Sequence, residues 1–143
     1  MRIIEPVSPR DYQKYYDLRW TILRAPWNQP RGSERDSRDA DSTHLMIIDA
    51  RDAAVAVGRL HFNSIREAQV RYMAVASGQQ RRGFGRHLLQ ALEEKATSLG
   101  AACIVLDARE TALGFYCRQG YSAEGPGHVL YNCISHVKMR KEL

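Results

Sequence analysis

Val75-Ala76-Ser77-Gly78-Gln79-Gln80-Arg81-Arg82-Gly83-Phe84-Gly85-Arg86-His87-Leu88-Leu89 is the stretch on which the reading of this chain turns. An apolar run over 68–76 ends here as a strand ends. Ser77-Gly78-Gln79 turns the chain. Phe84, Leu88, Leu92, Ala96 and Leu99 then recur at three- and four-residue steps, with Leu89 widening the stripe, which predicts an amphipathic helix over 83–99. Gly100 follows as its stop signal. A helix N-terminus presents unpaired N–H groups and the positive end of a dipole. Glycine lets a phosphate approach that backbone closely. Arg81, Arg82 and Arg86 add positive charge at the same end. The stretch reads as a phosphate cradle between a strand and a helix. By itself it reads equally as a glycine-containing turn with basic surface residues.

Spacing removes two kinds of cradle. A dinucleotide fingerprint needs a third glycine after Gly83-Phe84-Gly85, where Arg86-His87-Leu88 stand instead. A Walker loop needs Gly-Lys-Ser/Thr, which this sequence lacks.

Upstream, 2–6 predicts a short first strand. Ser8 is an N-cap candidate, with Pro9 at the first helical position and Asp11 placed to reach back to the cap. Tyr12, Tyr15, Tyr16, Leu18, Ile22 and Leu23 follow at helical spacing. Pro26 ends that pattern. Over 24–43 the chain is polar and charge-mixed, which predicts a solvated loop or a wall over a substrate site, with Trp27 its one large apolar residue. The runs 44–50 and 53–62 predict a hairpin, and 68–76 a third strand of an antiparallel meander.

Downstream, 101–106 is a continuous apolar run, the pattern of a strand buried on both faces. A short helix is expected over 111–118. Two last strands are expected over 121–123 and 129–137, separated by Gly125-Pro126-Gly127. The element order predicts a mixed α+β (α/β) fold, a central sheet with helices on its faces.

The 143 residues suit one domain, 1–143, large enough for its own core. No apolar run nears the ~18 residues of a membrane span. The first residues, Met1 to Pro6, lack the apolar segment of a secretory signal. The expectation is a soluble, cytoplasmic protein that engages no membrane. Cys103, Cys117 and Cys133 form no Cys-x-x-Cys pair, so no metal site is expected and reduced, buried or semi-buried thiols are. A net charge of +5 suits an anionic ligand, and with no nucleic-acid motif beside it the charge does not predict a nucleic-acid partner.

Gln80-Arg81-Arg82-Gly83-Phe84-Gly85 resembles the Gln/Arg-x-x-Gly-x-Gly/Ala motif of the GCN5-related N-acetyltransferase (GNAT) superfamily. Met73-Ala74-Val75 looks like that family's fourth strand. Phe115-Tyr116-Cys117-Arg118-Gln119-Gly120-Tyr121 resembles its Phe-Tyr-x-x-x-Gly-Phe/Tyr element. One helix and one strand lie between these parts, as in the family, and the resemblance covers about 43–124.

The resemblance implies a mostly antiparallel sheet of about seven strands, splayed between strands 4 and 5, with acyl-CoA in the opening. It implies an N-acetyltransferase that moves the acetyl group of acetyl-CoA directly to a primary amine of a small molecule or peptide in a ternary complex. The donor-binding set it implies is Met73, Ala74, Val75, Gln80, Arg81, Arg82, Gly83, Phe84, Gly85 and Arg86, with Phe84 also entering the core. Tyr116 falls on the general-acid position. The glutamate that serves as base in the histone-acetyltransferase branch falls on Gln69, whose amide cannot take that role. Glu67, or His61 on the preceding strand, stands as base, acting through water. Where many members carry an Asn after the fifth strand, this chain reads Asp107-Ala108-Arg109-Glu110, and Arg109 or Glu110 is expected to be structural. Cys117 as a nucleophile lacks a nearby His. The rival reading is a non-catalytic acyl-CoA-binding regulatory module. Members often pair through edge strands, so a homodimer is an expectation of the same kind.

Overall fold

The computed structural model describes residues 1–143. Its strands are β1 (Arg2–Ile4), β2 (Thr43–Ile48), β3 (Ala54–Phe62), β4 (Glu67–Val75), β5 (Cys103–Arg109), β6 (Ser122–Leu130) and β7 (Ile134–Glu142). They form one sheet in the order β1-β2-β3-β4-β5-β7-β6. Every neighbouring pair is antiparallel except β4 and β5, which run parallel. The helices are α1 (Pro9–Leu23), α2 (Phe84–Ser98) and α3 (Leu113–Arg118).

The helix signals act as expected. Ser8 Oγ accepts the Asp11 N–H at 3.0 Å, and Asp11 Oδ2 accepts the Ser8 N–H at 3.3 Å, closing a capping box at the start of α1. Gly100, with φ of 97°, follows the end of α2. The stripe of α2 buries Leu88, Leu89, Leu92 and Ala96 against Leu45, Ile47, Leu60, Val70, Ile104 and Leu106. On the opposite face, Tyr15 and Leu23 of α1 pack with Met46, Ile48, Val57 and Ala74. Successive β2 residues therefore enter different cores, which is why that strand reads as an unbroken apolar run. Each fully buried leucine stabilises the fold by about 1.5–3 kcal/mol.

The sheet opens between β4 and β5. These strands pair only from Glu67 to Gln69, opposite Cys103 to Val105, although β4 runs on to Val75 and β5 to Arg109. A β-bulge lies just past the last paired residue. Arg59 faces Arg71 and Val57 faces Ala74, so Tyr72 and Met73 share the single residue Gly58. Tyr72 holds φ at 56° to allow this. The extra residue bends the strand and sharpens its twist, carrying its second half away from β5. Gly58 is needed here, because a Cβ would meet Leu92 Cδ1 at 2.9 Å and Met73 Cγ at 3.2 Å.

Three expectations are corrected. The last two strands are longer, and their turn falls inside the expected 129–137 strand. Tyr131 and Asn132 both take left-handed φ, 52° and 57°, as a tight hairpin turn requires. Gly125-Pro126-Gly127 does not interrupt a strand pair. It lies within β6, an edge strand, where register shifts and a missing N–H are tolerated.

The 24–43 segment is no solvated loop. Glu34 is buried, and Asp39 bonds Arg19 at 2.9 Å and Arg59 at 3.1 Å, both guanidinium groups being fully buried. Among the cysteines only Cys103 is buried, while Cys117 and Cys133 are exposed free thiols.

No helix is long and apolar enough to cross a membrane.

Candidate active site

The stretch between β4 and α2 folds as a cradle of N–H groups. The first amide to bond back into α2 is His87, onto the Gly83 carbonyl at 3.0 Å. From Gln80 through Arg86 no backbone N–H has a partner within the protein. Arg81 and Gly83 take left-handed φ of 64° and 85°, which turns successive N–H groups toward one side. Gly85 packs flat against the core, where a Cβ would sit 3.4 Å from the Phe115 ring. Arg81, Arg82 and Arg86 are exposed around the cradle. Phe84 is half-buried on the α2 core, with the Arg82 guanidinium 5.6 Å over its ring.

The β4 edge supplies a second row of backbone groups. Ala76 donates its N–H to the Val55 carbonyl of β3 at 2.9 Å. By strand alternation Val75 turns its N–H and C=O the other way, toward the gap. Its carbonyl there accepts a 3.4 Å bond from Gln80 Nε2. Met73, two residues back, shares that orientation. Ala74 does not. Its backbone faces β3 and its side chain fills the α1 core, so it offers the gap nothing.

Tyr116 of α3 reaches into the same gap. Its hydroxyl lies 3.8 Å from Met73 Sδ. Burial pushes this phenol up to about 12. Tyr121, whose ring centroid is 5.8 Å away, gives its proton to Glu93 Oε2 at 2.8 Å.

Neither base expected from the sequence is brought to Tyr116. Glu67 lies at the closed end of the splay, bonded by Asn63 at 3.1 Å and Arg140 at 3.4 Å. It is six residues from Met73 along the strand, about 20 Å at strand rise. His61 is buried beside Arg59, its Nδ1 3.3 Å from that guanidinium. Burial, then the Arg59 charge, lowers its pKa. Glu110 begins a 3-10 turn at the exposed surface. Arg109 stands at the N-cap position of that turn without a side-chain cap bond, and its side chain lines the cavity without a bonded partner.

The gap continues into a cavity of about 170 Å³ whose lining includes Met73 and Tyr116. Its other lining residues include Arg24, Asp107, Arg109, His128 and His136. The two imidazoles stack at 4.0 Å. His128 Nδ1 donates to Asp107 Oδ2 at 3.2 Å, and His136 Nδ1 donates to the His128 carbonyl at 3.0 Å. Each ring thus keeps an Nε2 lone pair free to accept a proton. Burial, then the neighbouring His128, lowers the His136 pKa. The sequence reading missed this pair. A histidine on each strand of the last hairpin was its only signal.

The arrangement fits an acyl-CoA thioester. It combines a phosphate cradle, a strand edge with free amides, and a protonated hydroxyl in a cavity that also holds proton acceptors.

Comparison with known proteins agrees. The chain matches the Acetyltransferase (GNAT) family over residues 12–121. It is 27% identical to the uncharacterized N-acetyltransferase YjcF of Bacillus subtilis (strain 168) over 142 residues, covering 99% of this chain and 100% of that one. The fold superposes on Escherichia coli ElaA with a TM-score of 0.84 at 17% identity, covering 99% of each chain. It superposes on an aminoglycoside 6'-N-acetyltransferase complexed with coenzyme A with a TM-score of 0.80 at 18% identity, covering 99% and 97%.

Proposed function

The chain belongs to the acetyltransferase (GNAT) family, and we propose that it moves the acetyl group of acetyl-CoA directly to a primary amine within a ternary complex. The observation that carries this reading is the single cavity that joins the β4 edge at Met73, the Tyr116 hydroxyl and the Asp107–His128–His136 chain.

Bound acetyl-CoA supplies an activated acetyl group as its thioester. The N–H groups from Gln80 to Arg86, with Arg81, Arg82 and Arg86, hold its pyrophosphate. Met73 and Val75 offer backbone groups to its acetyl and pantetheine portions, and the amides there stabilise oxyanion charge at the acyl carbon. His128 Nε2 takes a proton from the acceptor ammonium, freeing the lone pair that forms the new C–N bond. Asp107 holds the His128 ring through its Nδ1. As the C–S bond breaks, Tyr116 gives its proton to the departing sulfur. The new C–N nitrogen releases its second proton to bulk water, the amide product leaves, and the imidazolium proton returns to Tyr116 through water.

The test is acetyl-CoA-dependent release of CoA thiol across amino acids, peptides, polyamines and aminoglycosides. Turnover on one class is expected, with His128→Asn losing most of it at neutral pH. Tight acetyl-CoA binding with no turnover on any amine would favour the regulatory module instead.

A further inference from the structure

We propose that the acceptor amine carries a carboxylate, held by Arg109 and Arg24, which line the same cavity as Tyr116. This rests on the acetyl-transfer reading of the same cavity. Arg109 closes β5 with its side chain on the cavity wall, half-buried and with neither an ion pair nor a hydrogen bond inside the protein. Arg24 follows α1 and is 7% exposed. Its Nε donates to the Ser33 carbonyl and its Nη1 to the Leu23 carbonyl, both at 3.0 Å. Those acceptors are neutral, so the Arg24 charge is oriented and left unbalanced. The third arginine of the lining, Arg71, leans on Asp36 at 3.6 Å. The one carboxylate of the lining, Asp107, is engaged by His128.

Two guanidinium charges therefore face one cavity whose single carboxylate, Asp107, pairs with neither of them. Like charges in a partly desolvated site repel, and an anion between them relieves both. A carboxylate suits the planar guanidinium fork. The donor's phosphates have their own cradle at the start of α2, so they do not need this pair. Ligand cavities are commonly about 300–1,000 Å³. At about 170 Å³ this one suits an acceptor the size of an amino acid. A polyamine or an aminoglycoside would set its own cations against Arg24 and Arg109.

Matched pairs decide the matter. Each free amino acid is assayed beside its carboxamide, with short peptides bearing an acidic second residue as a further arm. The thiol-release assay is expected to show kcat/KM at least about tenfold higher for acids than for amides. Free amino acids turning over faster than the peptides would place the carboxylate on a small metabolite. The reverse would place it on a peptide side chain.

Arg109→Gln is expected to bring the acid-to-amide ratio close to one, and Arg109→Lys to keep part of the preference. An unchanged acetyl-CoA Kd would show that both variants are folded. Amides or polyamines preferred in the wild type, or a ratio untouched by Arg109→Gln, would overturn the proposal. Absence of turnover on every amine would sink the transfer reading alone. The carboxylate site is then read by calorimetric titration of N-acetylglycine and N-acetylglycinamide into the protein–CoA complex. Binding of the acid alone, lost in Arg109→Gln, sustains it, and equal or absent binding of the two ends it.

Discussion

Burial pushes the Tyr116 phenol up to about 12, so at neutral pH this residue is a hydroxyl with a proton to give. Its one polar contact is the soft sulfur of Met73, whereas the neighbouring Tyr121 has committed its proton to Glu93. Of the two, Tyr116 is the one free to act on a departing thiolate. Removing only its oxygen should therefore cost chemistry and spare binding. Tyr116→Phe is expected to lower kcat about 100-fold, the lower part of the usual general-acid range, with acetyl-CoA Kd unchanged by calorimetry. A kcat within twofold of wild type would take Tyr116 out of the mechanism. This residue was legible in the sequence because its Phe-Tyr context is local. The proton acceptor was not. Asp107 and His128 are separated by 21 residues and His128 and His136 by 8, on three strands, and no spacing within one element links them. Glu67 on β4 and His61 on β3, the bases expected from the sequence, lie on the same sheet but outside the lining of this cavity.

Two elements show what glycine and buried charge contribute. The α2 cradle needs Gly83 for its left-handed φ, whereas Gly85 lies near Phe115 with room for a Cβ. An added Cβ is strained at the first and in ordinary contact at the second. Gly83→Ala should cost about 1–2 kcal/mol in stability and weaken acetyl-CoA binding, because relaxing φ re-aims the amides. Gly85→Ala should leave both within experimental scatter. Equal effects from the two would mean that the amides are not aimed by the Gly83 conformation.

The 24–43 segment poses the opposite problem. Its charges suggested solvation, because the partners that bury them come from α1 and β3. Asp39 meets Arg19 and Arg59 across 20 residues of sequence each way, and Arg59 also meets Asp36 at 2.6 Å. Deleting Asp39 leaves the buried Arg19 guanidinium without a carboxylate and the buried Arg59 with Asp36 alone. Asp39→Ala should destabilise the protein by about 3–5 kcal/mol in urea unfolding. Asp41→Ala, which removes an exposed carboxylate, should stay within about 0.5 kcal/mol. If the two variants unfold alike, the segment is not pinned by these charges.

For the whole molecule, the element order and the two-faced sheet were readable because apolar periodicity reports them directly. Opposite faces of β2 feed different cores, and the α2 stripe matches its buried residues. The hairpin of β6 and β7 was misjudged because Tyr131-Asn132 carries the turn without a glycine. Stability against pH sums over all of these buried groups, and its sign can be worked out. Burial, the largest cause, lowers the pKa of His44, His61 and His136 below their ordinary 6.5. In the unfolded chain these rings take protons as pH falls through about 6.5, before the folded ones do, so stability is lost from there downward.

Burial alone would raise the carboxyl of Asp36, but the Arg59 bond, the Arg38 N–H, the Arg59 charge and the Tyr72 hydroxyl together outweigh it and hold it at about 2. That contribution is full above about pH 4 and is lost as pH falls toward 2. Burial raises Tyr15, Tyr116 and Tyr121. Their contribution is full below about pH 10 and is lost as pH rises beyond it, since the unfolded phenols ionise first. Thermal unfolding should therefore give a Tm plateau between about pH 7 and 9, with a first decline beginning near 6.5 and a steeper one below 4. His44→Gln should weaken the first decline, because one ring that resists protonation is gone. A Tm that is flat or rising from pH 6.5 to 5 would mean that these histidines are protonated as readily in the folded protein as in the unfolded chain.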